Sequence, residues 1–315
     1  MKYLKIGIKI FAFYLMIGNA LSVKANEKVT VILDWFLNSS HESLLAAKYS
    51  GAFERHHLDV ELIAPADPGM PPRMVAAGKA DLAISYPIQL GMMVDQSIPL
   101  IRIGTLLDTP LDTLIVGPNI SEIRDLKGKK IGVSIAGDER SILSTLLENA
   151  GVKLSDVQVI NVNFQLEQAL LTGKVDAITG ANRNYEWIDL QQRQFKGKVF
   201  YPEEYGVPIC DELIFIARKD AAHDPKFKEF MLALQEGTNY LLNHHEEIYE
   251  KAAKDFPQLV SPLNKAAWIA TLPRVSKNPS LLDKGKYERL YSFLRQKGVI
   301  HKNLPLSDYT IDILQ

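Results

Sequence analysis

Apolar residues in this chain fall in short runs, each closed by a polar turn and followed by an amphipathic stretch. Residues 29–33 form such a run and predict a buried strand. Residues 42–48 predict a helix that Gly51 closes, since glycine best tolerates the left-handed turn after a helix. A second strand is expected at 58–63, a loop at 65–72 and a helix end at 74–77 before Gly78. Residues 81–85 predict a third strand, 87–94 a helix and 100–106 a fourth strand. This alternation predicts a parallel-type sheet with helices on both faces, an α/β fold.

Thr109-Pro110-Leu111-Asp112 breaks the pattern, and a second α/β set begins. Strands are expected at 114–116, at 131–133 after the tight turn Leu126-Lys127-Gly128-Lys129-Lys130, at 157–162 and at 177–179. Helices are expected at 139–149, closed by Gly151, and at 166–171. Residues 74–84 align with 169–179: both read as a helix end, a Gly-Lys-x-Asp turn and an apolar strand. The match is either an echo of two similar lobes or a common helix-to-strand turn used twice. Residues 213–217 predict a strand that returns the chain to the first lobe. Four helical stretches follow, at 225–242, 248–256, 265–272 and 287–297, the first with Phe227, Phe230, Met231 and Leu234 at helical spacing. This tail is expected to pack on the first lobe. The expected division is residues 26–110 with 212–315 as one lobe and 111–211 as the other, joined by a two-strand hinge.

The 315 residues are 47% hydrophobic and 23% charged, with a formal net charge of -1. That profile suits a soluble globular protein of two domains and argues against a nucleic-acid binder, which would present a basic surface. Residues 1–5 are basic, residues 6–21 are mostly apolar around Lys9, and Val23-Lys24-Ala25 is a small-x-small cleavage site. Residues 1–25 therefore read as a Sec signal peptide, with the mature chain in the periplasm. The single cysteine, Cys210, allows no intramolecular disulfide and reads as a small buried hydrophobe.

The densest chemistry lies between Leu33 and Glu42, where a strand runs into a helix start. Asn38, Ser39 or Ser40 offers a cap for that helix, and outward-facing N–H groups at such a place commonly meet a ligand. Trp35 and His41 would add an aromatic platform and a hydrogen-bonding edge, or else plug the core and sit at the surface. Phosphate loops, nucleophile elbows and zinc-binding His-Glu-x-x-His helices do not occur. The adjacent pairs His56-His57 and His244-His245 point to different faces and make poor metal sites. No catalytic residue, metal or cofactor is indicated, which favours binding over catalysis.

Asp34-Trp35-Phe36 with His41 resembles the NMT1/THI5-like solute-binding proteins, a group related to thiamine-pyrimidine biosynthesis that includes the pyrimidine-binding subunit of an ABC importer. The resemblance continues through residues 51–61, 75–86 and 126–132, Gly173-Lys174-Val175-Asp176-Ala177, and Asn182-x-Asn184-Tyr185-Glu186. It implies a type II periplasmic-binding-protein fold, two α/β lobes that close over one ligand and deliver it to ABC permease transmembrane subunits, as a monomer. It implies that Trp35 stacks on a heteroaromatic ring, with Asp34 beside it, His41 at the adjoining helix start and Tyr86 as a second aromatic wall. From the other lobe, Gly137-Asp138-Glu139 would open a helix facing the cleft, and Asn184 and Glu186 would hydrogen-bond the ring. Asp211 and Glu212 would lie on the return crossover, touching the ligand or only the hinge. An aminopyrimidine suits such a site: aromatic walls take its faces, and carboxylate and amide take its edge.

Fungal synthases of the same family use a lysine and a histidine after the Gly-Lys-x-Asp strand; here those positions are Ser85 and Gln89. Asp34 and Leu37 also differ from some family patterns, and Arg183 and Asn184 replace an aromatic-rich loop. Two rival readings follow. A sulfonate or nitrate receptor calls for cleft Arg and Lys, against which Asp138, Glu139 and Glu186 speak. A pyrimidine synthase calls for a reactive lysine.

Overall fold

The computed structural model describes residues 26–135, 137 and 141–314. The expected signal peptide and the site candidates Asp138 and Glu139 lie outside the described residues. In chain order the first elements are β1 (Glu27–Ile32), α1 (Glu42–Tyr49), α2 (Ala52–Arg55), β2 (Leu58–Ile63), α3 (Pro71–Ala76), β3 (Leu82–Ser85), α4 (Pro87–Asp95) and β4 (Leu100–Leu107). The second set is β5 (Asp112–Val116), β6 (Lys130–Val133), α5 (Ile142–Asn149), β7 (Gln158–Asn161), α6 (Leu166–Leu171), β8 (Ala177–Asn182), α7 (Glu186–Gln192) and β9 (Lys198–Phe200). Then follow β10 (Leu213–Arg218), α8 (Pro225–Asp255), α9 (Pro262–Thr271) and α10 (Lys284–Gln296). Among the described residues no helix is long and apolar enough to cross a membrane.

The strands form two five-stranded sheets, ordered β2-β1-β3-β10-β4 and β7-β6-β8-β5-β9. The sheets are mixed rather than all parallel. β1 runs parallel to β2 and β3, and β6 to β7 and β8. β10 is antiparallel to β3 and β4, and β5 to β8 and β9. In each sheet the reversed strand is the one the chain enters on arriving from the other sheet. Helical crossovers keep successive strands of one sheet parallel; the links β4–β5 and β9–β10 contain no α-helix. Strand β9 and helix α7, absent from the sequence-based expectation, are short and lack a clean apolar period.

The two Gly-Lys-x-Asp segments occupy equivalent places. β3 and β8 are each third in their sheets, beside β1 and β6. Gly78 and Gly173 leave their helices at φ +67° and +69°, where a Cβ is strained. The Asp81 carboxylate accepts from the Thr30 amide on β1 at 2.8 Å, and the Asp176 carboxylate from the Lys130 amide on β6 at 2.9 Å. Each Asp amide donates back to the same residue's carbonyl. The echo is therefore architectural: glycine stops the helix, and aspartate docks the new strand on its neighbour.

The tail does not stay on the first lobe. α8 runs as one helix with a kink at His244, where two helices were expected, and packs on α1 and α2. α9 touches both the turn Ser39–His41 and α7 of the second lobe. Lys297, after α10, pairs with Glu148 of α5 at 2.6 Å. The tail thus lies against both lobes.

Burial alone would raise the Asp81 carboxyl, but hydrogen bonds from Lys226 and Thr30 outweigh it and hold it below its ordinary value. Asp81→Ala is expected to destabilise the protein by about 1–3 kcal/mol in urea unfolding at pH 7, the worth of a charge-assisted hydrogen bond. A lowered folded-state value contributes stability above the unfolded value and loses it as pH falls. The difference between variant and wild type should therefore shrink toward pH 3.

Candidate functional site

After β1 the chain turns outward and tightens into a single helical turn, Ser39–His41. Asn38 caps that turn: its side-chain oxygen accepts from the Ser40 amide at 2.7 Å. Its own amide donates to His41 Nδ1 at 3.2 Å. The imidazole thus fills the place a carboxylate usually takes in a capping box. Because Nδ1 accepts, the ring's proton is assigned to Nε2, which donates to Asp34 Oδ1 at 2.9 Å. The other oxygen of Asp34 accepts from the Tyr86 hydroxyl at 2.9 Å. Tyr86 stands between β3 and α4, with Pro87 opening the helix behind it. A buried carboxylate is thereby fixed by donors from two separate elements.

Asp34, Trp35, Asn38, Ser40 and Tyr86 of the first lobe face Gly180, Asn182, Tyr185 and Glu186 of the second across a recess of about 340 Å³. Trp35 is half-buried and meets Phe164 edge-on at 4.5 Å, while exposed Phe36 leans on the same ring. Glu186 opens α7, and its carboxyl accepts from the Asn182 amide at 2.7 Å. Burial pushes Glu186 up to about 7, with the charges of Asp34 and Asp189 adding to the rise and backbone hydrogen bonds opposing it. Glu167, behind it, is pushed up to about 9 by burial and then by Glu186 and Asp189. The recess thus offers a fixed acceptor on one side and, on the other, a carboxyl able to give or take a proton near neutral pH.

The other expected site residues sit differently. His41 is fully buried and reaches the recess only through Asp34. Asn184 does not line the recess. Its amide nitrogen spans the lobes to Thr271 Oγ1 at 2.8 Å and Ser40 Oγ at 3.4 Å, and its oxygen is unpartnered. Asp211 is taken up by Lys286, Tyr287 and Thr105, each at 2.7 Å. Glu212 accepts from the Leu111 amide at 2.5 Å, and burial pushes it up to about 8. Both acids anchor the crossing between lobes. Asn182 and Tyr185 were carried in the Asn-x-Asn-Tyr-Glu segment without roles, as Asn38 and Ser40 were as caps; the alternation of facing side chains around a cleft leaves no period in sequence. Ser85 Oγ donates to Gln89 Oε1 at 2.8 Å, both buried, so the two positions that differ from the synthases satisfy each other. Among the described residues no group of three His, Cys, Asp or Glu is placed to hold a metal ion.

A raised carboxyl costs stability progressively as pH climbs from the unfolded value toward the folded one. Glu186→Gln keeps an oxygen for the Asn182 amide and removes that cost. The variant is expected to match wild type at pH 4 and to exceed it at pH 8 by up to roughly 3 kcal/mol, since each tenfold change in proton affinity is worth about 1.4 kcal/mol. Thermal unfolding across that range checks it.

Comparison with known proteins adds the following. A family model described as NMT1/THI5 like matches residues 38–248. A Haemophilus influenzae protein named for thiamine biosynthesis is 41% identical over 98% of this chain and all of its own length. The formylaminopyrimidine-binding protein of Halalkalibacterium halodurans is 30% identical over 62% of this chain and 60% of its own. A Legionella pneumophila 4-amino-5-hydroxymethyl-2-methylpyrimidine phosphate synthase is 24% identical over 89% of this chain and 90% of its own. In structure, the alkanesulfonate-binding protein SsuA of Xanthomonas axonopodis superposes with a TM-score of 0.70 at 16% identity, covering 91% of this chain and 99% of that one. At that identity the match shows the fold alone, that of the periplasmic binding proteins.

Proposed function

The chain belongs to the NMT1/THI5-like family, and from that premise we propose that it is a periplasmic solute-binding protein that captures an aminopyrimidine precursor of thiamine. It releases that ligand to the transmembrane subunits of an ABC importer and works as a monomer without catalysis. The observation that carries this reading is the pairing of carboxyls from opposite lobes, Asp34 and Glu186, in a recess walled by Trp35, Tyr86 and Tyr185. An aminopyrimidine has flat faces for the aromatic rings and an exocyclic amine for an ionised carboxylate. Its ring nitrogens accept from a protonated carboxyl, the form that Glu186 holds below about pH 7. In a closed cleft a mismatched ligand leaves such groups unpaired, so discrimination is strong.

The lobes divide at the two crossings, near residues 110–111 and 211–212, and closure about them is driven by the ligand's better fit to the closed state. Asn184, reaching from the second lobe to Ser40 and Thr271, belongs to the closed form. A sulfonate or nitrate ligand finds no counter-charge here: no Lys or Arg is among the described residues of the recess. A synthase would need the reactive pair whose places Ser85 and Gln89 fill.

Calorimetry should show binding of hydroxymethyl- and formylamino-pyrimidines and none of taurine or nitrate. Trp35→Ala is expected to weaken pyrimidine binding by tenfold or more, the loss of a stacking platform being worth about 1–3 kcal/mol. Unchanged affinity would take Trp35 out of the site.

A further inference from the structure

The cleft does not end at the acidic recess. Past Tyr86, Gly180 and Asn182, which wall both spaces, it widens into a chamber of about 890 Å³, partly open to solvent, that reaches the crossing back to β10. A single pyrimidine ring held against Trp35 leaves this chamber empty.

The chemistry of the chamber contrasts with that of the recess. Ile88, Val133, Ile135 and Val207 supply apolar wall. The carboxyls at its edge are already engaged. Glu203 takes both arms of Arg183, at 2.6 and 2.9 Å. Asp211 is held by Lys286 and Tyr287, and Glu212 by the Leu111 amide. No Lys or Arg is among the described residues that line it. A charged group entering would shed its hydration and gain no partner, whereas an apolar group would gain contacts. Volumes of this order suit ligands larger than one ring.

We infer that the ligand is an aminopyrimidine bearing a second, uncharged apolar group, its ring in the acidic recess and that group in the chamber; this rests on the aminopyrimidine reading above. Position along the ligand then divides the labour: the recess recognises the amine and ring nitrogens, and the chamber selects the substituent by shape and lack of charge.

The test compares two probes by calorimetry: the hydroxymethyl aminopyrimidine, and the same ring with the hydroxyl converted to a benzyl ether. The benzyl ether is expected to bind wild-type protein at least tenfold more tightly. In Val207→Trp, which narrows the chamber, that advantage should vanish while the affinity for the parent stays within twofold. Equal or weaker binding of the benzyl ether to wild type overturns the extended ligand and leaves the aminopyrimidine reading standing. Binding of neither probe overturns both. The wild-type comparison decides the matter even where Val207→Trp does not fold.

Discussion

A carboxylate buried at the end of a strand has to be held by donors, and the site depends on how Asp34 meets that demand. Burial of an unpaired carboxylate costs several kcal/mol. Here Tyr86 and His41 supply the donors, from the exit of β3 and from the turn that opens α1. His41 can donate only because Asn38 holds its other nitrogen as an acceptor. One chain of hydrogen bonds therefore runs from backbone cap to imidazole to carboxylate to phenol. It fixes the segment between β1 and α1 before any ligand arrives, and with it the half-buried indole of Trp35. Preorganisation of this kind spares the ligand the cost of ordering its site.

The second lobe meets this fixed acceptor with a carboxyl of a different kind. Glu186 is raised first by burial, and the proximity of Asp34 adds to the rise. Closing the lobes brings the two acids toward each other and penalises the closed form unless a proton or a donor lies between them. A ligand amine removes that penalty only in the closed state, which is the differential affinity that a ligand-driven closure needs. The clasp from Asn184 to Ser40 and Thr271 and the rim contact of Trp35 with Phe164 hold the same form.

The sequence was most informative where local chemistry and the element agree. The strand–turn–helix at 29–48, the echo around Gly78 and Gly173, and the returning strand β10 all show in the pattern of apolar runs and glycines. The reversed direction of β5 and β10 does not, because direction is set by partners distant in the chain. α7 was hidden for another reason: its first residues, Glu186 and Asp189, are buried acids, which read as surface positions when seen alone. In the site, Asp34, Trp35, Tyr86 and Glu186 come together from the resemblance-based expectation. Asn184 and Asp211 are polar residues of the expected type whose side chains turn to protein partners instead, a choice that spacing does not encode.

That choice bears on where selectivity resides. The two crossings between lobes carry Leu111, Asp211 and Glu212, and a hinge must keep its own polar groups satisfied while it bends. Asp211 ties the second crossing to α10 through Lys286 and Tyr287, and Glu212 ties it to the first crossing through the Leu111 amide. Acids committed in this way are poor recognition groups, since a ligand must first displace a partner that is covalently part of the chain. The charge that remains available therefore concentrates at the far end of the cleft, around Asp34 and Glu186, and the hinge end is left apolar. A ligand bound across both ends is oriented by that gradient alone, its polar edge toward the strand-to-helix turn and its least polar part toward the hinge.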